Sequence, residues 1–230
     1  MRLPSLPRLS MSERQGQALG ILGGTFDPIH SGHLRLAEEA LTALELAGIL
    51  WVPAGQPYHR DAPHARAAHR LAMVHLAVAG HPGFAVDASE VLADTPSYSV
   101  PMLERLRKSQ SPDRSLVLLL GVDAFLGLST WHRWRDLFAL AHIAVATRPG
   151  HALVAEAMPE ALAAEFATRC CDDPATLAAT PGGRILPFTI TALDISATDI
   201  RAQFAAGRSP RYLLPEAVLD YIADNKLYAD

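Results

Sequence analysis

The chain has 230 residues, half of them hydrophobic, and carries 20 Lys and Arg against 24 Asp and Glu, a formal charge of −4. That length suits one domain with a sizeable core. The basic residues are scattered rather than gathered into the stripe expected of a nucleic-acid partner, and no apolar run reaches the ~20 residues of a membrane span. The two cysteines, Cys170 and Cys171, are adjacent. They suit neither a disulfide framework nor a Cys-x-x-Cys metal site, and fit a reducing, cytoplasmic setting.

Residues 1–17 are polar and Pro-containing, with Arg2, Arg8 and Arg14 and no continuous apolar centre of the kind a secretory signal needs. They read as a disordered tail ahead of one domain spanning 18–230, with a second start available at Met11. The first predicted strand is Leu19–Leu22. It runs into Gly23-Gly24-Thr25-Phe26-Asp27-Pro28-Ile29-His30-Ser31-Gly32-His33, and an amphipathic helix follows over Leu34–Leu46. A strand, a glycine-rich turn and a helix opening on two histidines bring unpaired N–H groups and two imidazoles to one point. Such a point suits a polyphosphate. Two incidental loop histidines or a metal pair are the competing readings, and zinc would require a third protein ligand from elsewhere in the chain.

The second strand, Ile49–Val52, leads into Pro53-Ala54-Gly55-Gln56-Pro57-Tyr58-His59-Arg60. Helical periodicity covers His64–Ala79 and Val100–Lys108, with a short strand at Phe84–Val86 between them and the segment Ser97-Tyr98-Ser99-Val100-Pro101-Met102 just before the second helix. The buried strand Leu116–Leu120 ends at Gly121-Val122-Asp123, where Asp123 is either a helix cap or a ligand-facing carboxylate. In Thr130-Trp131-His132-Arg133-Trp134, both indoles can serve as core anchors, but the loop setting of Trp131 suits stacking on a flat ring. The strand Ile143–Ala146 is followed by Arg148-Pro149-Gly150. The Ala-rich stretch 152–180 carries no motif and reads as a peripheral helical insertion. After the strand Ile185–Pro187 comes Ile195-Ser196-Ala197-Thr198-Asp199-Ile200-Arg201, a helix start with Ser196 as N-cap and Asp199 three residues on. Its hydroxyls, N–H groups and Arg201 form a second candidate phosphate grip. Two short helices close the chain, the latter opening near Pro215. Strands alternating with helices argue an α/β fold, a Rossmann-like doubly wound parallel sheet with C-terminal helices, whose ligand sits at the C-terminal strand ends.

The run from Gly23 to His33 resembles the signature of the HxGH nucleotidyltransferase superfamily, and within it the bacterial nicotinate mononucleotide adenylyltransferases. The likeness extends from about Leu19 to Leu227 and includes the Ile195–Arg201, Gly121-x-Asp123, Trp131 and Val52–Arg60 segments. Tyr58 stands where the family has a second proline, Arg60 where it has lysine, and Ser99 and Met102 where it has threonines, so one hydroxyl is kept and one lost. The resemblance implies transfer of the adenylyl group of ATP to nicotinate mononucleotide. It assigns ATP binding to Gly23, Gly24, Thr25, Phe26, His30, His33, Gly121, Asp123, Ile195, Ser196, Thr198 and Arg201, with His33, His30 and Arg201 catalytic. Asp27, His59, Arg60, Tyr98, Ser99, Trp131 and Arg148 fall on the acceptor side. Mg²⁺ is expected on the substrate phosphates, and a homo-oligomer is compatible with the sequence. Nicotinamide mononucleotide and, less well, phosphopantetheine are the alternative acceptors. An NAD-dependent dehydrogenase is disfavoured, because Gly-x-Gly-x-x-Gly is missing after the first strand and no acidic residue ends the second. A non-catalytic nucleotide sensor would not require both histidines and Arg201.

Overall fold

The computed structural model describes residues 17–58, 62–111, 113–150 and 153–229. The expected tail at 1–17 lies outside the described residues but for Gln17. Six parallel strands form the central sheet: β1 (Leu19–Gly24), β2 (Gly48–Pro53), β3 (Phe84–Val86), β4 (Leu116–Gly121), β5 (His142–Thr147) and β6 (Ile185–Thr189). Their order is β3-β2-β1-β4-β5-β6, with β1 paired to β2 from Leu19↔Gly48 and to β4 from Leu19↔Leu116. This is the order of the doubly wound dinucleotide-binding folds. It reverses between β1 and β4, and ligands of such sheets lie at that switch point.

The strands are apolar throughout because both faces are covered. Val117 and Leu119 of β4 belong to the first core, while Leu116, Leu118 and Leu120 belong to the second. The first face packs against α1 (Ser31–Ala43) and α2 (Ala67–Val78), and against two helices near the C-terminus, α5 (Ala197–Ala205) and α6 (Glu216–Asp224). The second carries α3 (Ser99–Ser109) and α4 (Glu160–Arg169), together with Phe125, Leu128, Trp134 and Phe138. Among the described residues no helix is long and apolar enough to cross a membrane.

Helix α1 ends earlier than its periodicity predicts. Glu45 adopts φ 49, and the Leu46 N–H reaches back to the Leu41 carbonyl at 3.1 Å. This six-to-one closure usually uses glycine, so its sequence signal is missing here. It turns Leu44 and Leu46 into the core, where both are buried.

The 152–180 stretch corrects the expectation of a peripheral insertion. It is the connection between β5 and β6, and its buried residues fall on opposite faces: Leu162 in the second core and Leu177 in the first. Between them the Cys171 N–H donates to the Ile185 carbonyl at 2.9 Å, so the segment pairs with the outer strand of the sheet. Covering an edge strand in this way hides its unpaired backbone groups.

Candidate active site

β1 ends at Gly24, and the next turns are tight. A Cβ on Gly24 would lie 2.9 Å from the Phe26 ring and would have to displace that buried side chain. Phe26 itself is held at φ 51, a left-handed conformation that costs a bulky residue energy. Burial of its ring between Trp51, at 5.6 Å, and His33, at 5.1 Å, offsets that cost. The Asp27–Pro28 peptide is cis. The chain then enters α1 with His30 as the extended N-cap.

The two histidines stack, with 3.8 Å between ring centroids and 31° between planes. The His30 N–H donates to Nδ1 of His33 at 3.3 Å. An Nδ1 that accepts leaves the proton of a neutral ring on Nε2, so His33 presents Nε2–H as a donor. His30 is 7 % exposed, and burial pulls its pKa down to about 4. It is therefore neutral at pH 7. Its Nδ1 is buried at the first turn of α1. Gly32 makes room for this arrangement, because a Cβ there would sit 3.0 Å from that Nδ1.

The same virtual Cβ lies 3.8 Å from the Ile195 carbonyl, which shows how closely the far motif approaches. Ser196 is the N-cap of α5, as its sequence predicts: its Oγ accepts from the Asp199 N–H at 3.0 Å and donates to Oδ2 of Asp199 at 2.7 Å. Arg201 donates from Nη1 to the Asp27 carbonyl at 2.7 Å and from Nη2 to Oγ1 of Thr198 at 3.3 Å. Two helix N-termini and a guanidinium thus meet, with the Arg201 contact spanning 174 residues of sequence. Each N-terminus carries roughly half a positive charge. Neutral donors beside fixed positive charge are an arrangement with the chemistry to hold phosphates.

Gly121 ends β4 on the other side of the switch point, and a Cβ there would meet nothing within 4 Å. Asp123 follows it, exposed, in the first turn of the short helix Val122–Leu126. That is open room beside a carboxylate, at the place where the sequence puts the nucleotide.

On the acceptor side, Gln56–Pro57 and Pro96–Ser97 pair as a two-residue parallel ladder. This draws the loop after β2 against the start of α3. Tyr58 and Tyr98 rings then lie 3.9 Å apart, Tyr98 and His132 4.8 Å apart, and the His132 N–H donates to the Tyr58 hydroxyl at 3.2 Å. Trp131, partly buried, adjoins His132, whereas Trp134 is buried in the core. Ser99 is the first residue of α3 and partly buried; Met102, one turn on, is buried in the second core. His59 and Arg60 lie outside the described residues.

Asp27 and Arg148 both have partners within the chain. Both Asp27 oxygens are committed to the chain's own donors: Oδ2 to the His64 N–H at 2.8 Å, Oδ1 to the Ala65 N–H at 3.1 Å and the Tyr228 hydroxyl at 2.7 Å. Asp27 is 5 % exposed, and its carboxylate ties the turn after β1 to the segment ahead of α2 and to the end of the chain. Arg148 is exposed, and its guanidinium lies 3.9 Å from Asp194, which groups it with the Ile195–Arg201 motif. Among the described residues no three or more His, Cys, Asp or Glu side chains gather as a metal site.

Known proteins resemble this chain over most of its length. The cytidylyltransferase-like family matches residues 21–203, from β1 into α5. The chain belongs to the cytidylyltransferase-like family. A relative from Dechloromonas aromatica, named probable nicotinate-nucleotide adenylyltransferase, is 55% identical over 212 residues, covering 92% of this chain and 98% of the relative. One of the same name from Acidithiobacillus ferrooxidans is 50% identical, over 91% and 95% of the two chains. Among solved structures, Plasmodium falciparum nicotinic acid mononucleotide adenylyltransferase complexed with NaAD superposes with a TM-score of 0.68 at 14% identity, over 92% of this chain and 97% of that one. At that identity the likeness concerns the fold.

Within this cytidylyltransferase-like site, two side chains have no counterpart in the sequence reading. Arg70 of α2 is 1 % exposed. It donates to the carbonyls of Thr25 and Ala54 at 2.6 Å, Gly55 at 2.9 Å and Ala65 at 3.1 Å, tying the loop after β1 to the loop after β2. Burial lowers its pKa, with Asp27 and Tyr228 opposing the shift. A detectable signal existed: Arg70 lies on the same helical stripe as the buried Met73 and Val74, where a charge is costly unless satisfied. Tyr228 is the other, and its contact with Asp27 spans 201 residues, beyond the reach of any local pattern.

Proposed function

We propose that the protein transfers the adenylyl group of ATP to nicotinate mononucleotide, giving deamido-NAD and pyrophosphate. The observation that carries this reading is the meeting of the α1 and α5 N-termini, with His30, His33 and Arg201, at the switch point of the sheet. The relatives named above as nicotinate-nucleotide adenylyltransferases support the choice of acceptor, as does the aromatic cluster of Tyr58, Tyr98 and His132 beside Trp131, a surface suited to a flat pyridine ring.

In the reaction, a 5′-phosphate oxygen of the acceptor attacks the α-phosphorus of ATP in line, a P–O bond to the β-phosphate breaks, and pyrophosphate departs with the electron pair. A phosphate is already an anionic nucleophile at pH 7, so no catalytic base is needed. Positioning and charge stabilisation remain. His33 supplies Nε2–H to the phosphate oxygens. His30, neutral, adds an uncharged contact at the helix N-terminus, and Arg201 supplies the fixed positive charge. Mg²⁺ would offset the triphosphate charge when bound. The Asp27 carboxylate is already committed and the cradle is built of donors, so that ion would be held chiefly by substrate oxygens and water.

Pyrophosphate release from ATP, with nicotinate mononucleotide, nicotinamide mononucleotide and phosphopantetheine supplied separately, tests the assignment. Nicotinate mononucleotide should give the highest kcat/KM, and His33→Ala should lower that kcat roughly 10²- to 10³-fold, the usual cost of one preorganised donor. Faster turnover with another acceptor would overturn the choice of substrate. Wild-type turnover in a folded His33→Ala protein would overturn the site.

A further inference from the structure

Asp27 is the residue on which both halves of the site converge. Its carbonyl takes Arg201 of the far phosphate motif at 2.7 Å, and its carboxylate takes the backbone that leads into α2. The remaining partner comes from the end of the chain: the Tyr228 hydroxyl donates to Oδ1 at 2.7 Å. The backbone bends sharply to bring this ring in, with Lys226 at φ 49 and Tyr228 at φ 63. Two non-glycine residues in the left-handed region so close together require compensating contacts. The Tyr228 ring finds them, partly buried and 6.0 Å from Phe204 of α5, the same helix that carries the phosphate motif at its start. Burial and the Asp27 carboxylate push the phenol well above its ordinary value, so the hydroxyl stays a donor at every working pH.

We infer that Tyr228 is a positioning residue for phosphate transfer: by fixing Asp27 it holds the turn that leads into His30 and the first turn of α1, with His33, in register with Arg201. It touches neither the reacting phosphates nor the acceptor and acts only through Asp27. The inference rests on the adenylyl-transfer reading.

Tyr228→Phe removes the hydroxyl and keeps the ring, so the packing against Phe204 survives. With pyrophosphate release as the assay, kcat should fall about tenfold, in line with the loss of one hydrogen bond to a charged acceptor. Both KM values should stay within about twofold, because the ligands still bind while the reacting groups are misaligned. In an Arg201→Ala background the same substitution should cost less than in the wild type, since both side chains act on Asp27. A Tyr228→Phe protein with normal kcat, whatever its Tm, reduces Tyr228 to a structural role and overturns the inference. So does a change confined to the ATP KM, or full additivity with Arg201→Ala. A wild-type protein that releases no pyrophosphate with any acceptor defeats the functional reading instead.

Discussion

His30 shows how a single residue couples function to stability. Burial drops its pKa from 6.5 to about 4. Between those values the unfolded chain binds a proton that the folded chain refuses, so the contribution of His30 to stability is complete above pH 6.5 and shrinks as pH falls towards 4. At pH 4.5 the loss should be about 2 to 3 kcal/mol. Urea unfolding of the wild type and His30→Gln at pH 7 and pH 4.5 isolates this contribution, because all other groups titrate in both proteins. The wild type should lose more stability on acidification than the variant; parallel losses would mean that His30 titrates normally. In the proposed adenylyl transfer, the same neutral ring at the α1 N-terminus leaves Arg201 as a permanent charge beside it.

At the scale of elements, the start of α5 performs two tasks that the structure separates. The Ser196 hydroxyl is engaged with Asp199 as both acceptor and donor, which is cap chemistry. Ser196→Ala should therefore cost about 1 kcal/mol and lower Tm by roughly 2 to 4 °C, with a small change in the ATP KM. Arg201→Ala removes a charge-assisted contact instead, and should raise the ATP KM and lower kcat. Thermal melts and kinetics on the two proteins should give opposite profiles. If Ser196→Ala proves the more damaging to ATP binding, its hydroxyl leaves Asp199 to bind phosphate. The cap was legible in the sequence because Ser196 and Asp199 are three residues apart. The Arg201 contact with Asp27 was not, because 174 residues separate them.

For the whole molecule, the connection between β5 and β6 carries the prediction. Leu162 is fully buried in the second core. Leu162→Ala should destabilise the protein by about 2 to 5 kcal/mol through lost burial and the cavity left behind, with both KM values unchanged below the melting range. A loss under ~1 kcal/mol would restore the view of 152–180 as a dispensable appendage. The stretch looked peripheral because its buried residues are spread thinly among alanines, with no motif or strong period to mark them. Only the sheet edge beside it shows what it covers.

The sequence by itself determined the order of strands and helices, the parallel sheet, the turn after β1 and the cap of α5. Each of these is written in local spacing: apolar runs, a 3.6-residue period, glycines where a side chain would collide, a hydroxyl before a helix. It also placed the glycine-rich turn at the C-terminal edge of the parallel sheet, since that turn lies between a strand and a helix. The tertiary structure alone decided which groups meet. Asp27 became an internal clamp because His64, Ala65 and Tyr228 reach its oxygens first. Arg70 became the tie between two loops because its burial leaves four carbonyls as its hydrogen-bond partners. Hydrogen bonds depend on distance in space, and a contact such as Tyr228 with Asp27, 201 residues apart along the chain, leaves no local pattern from which to read it.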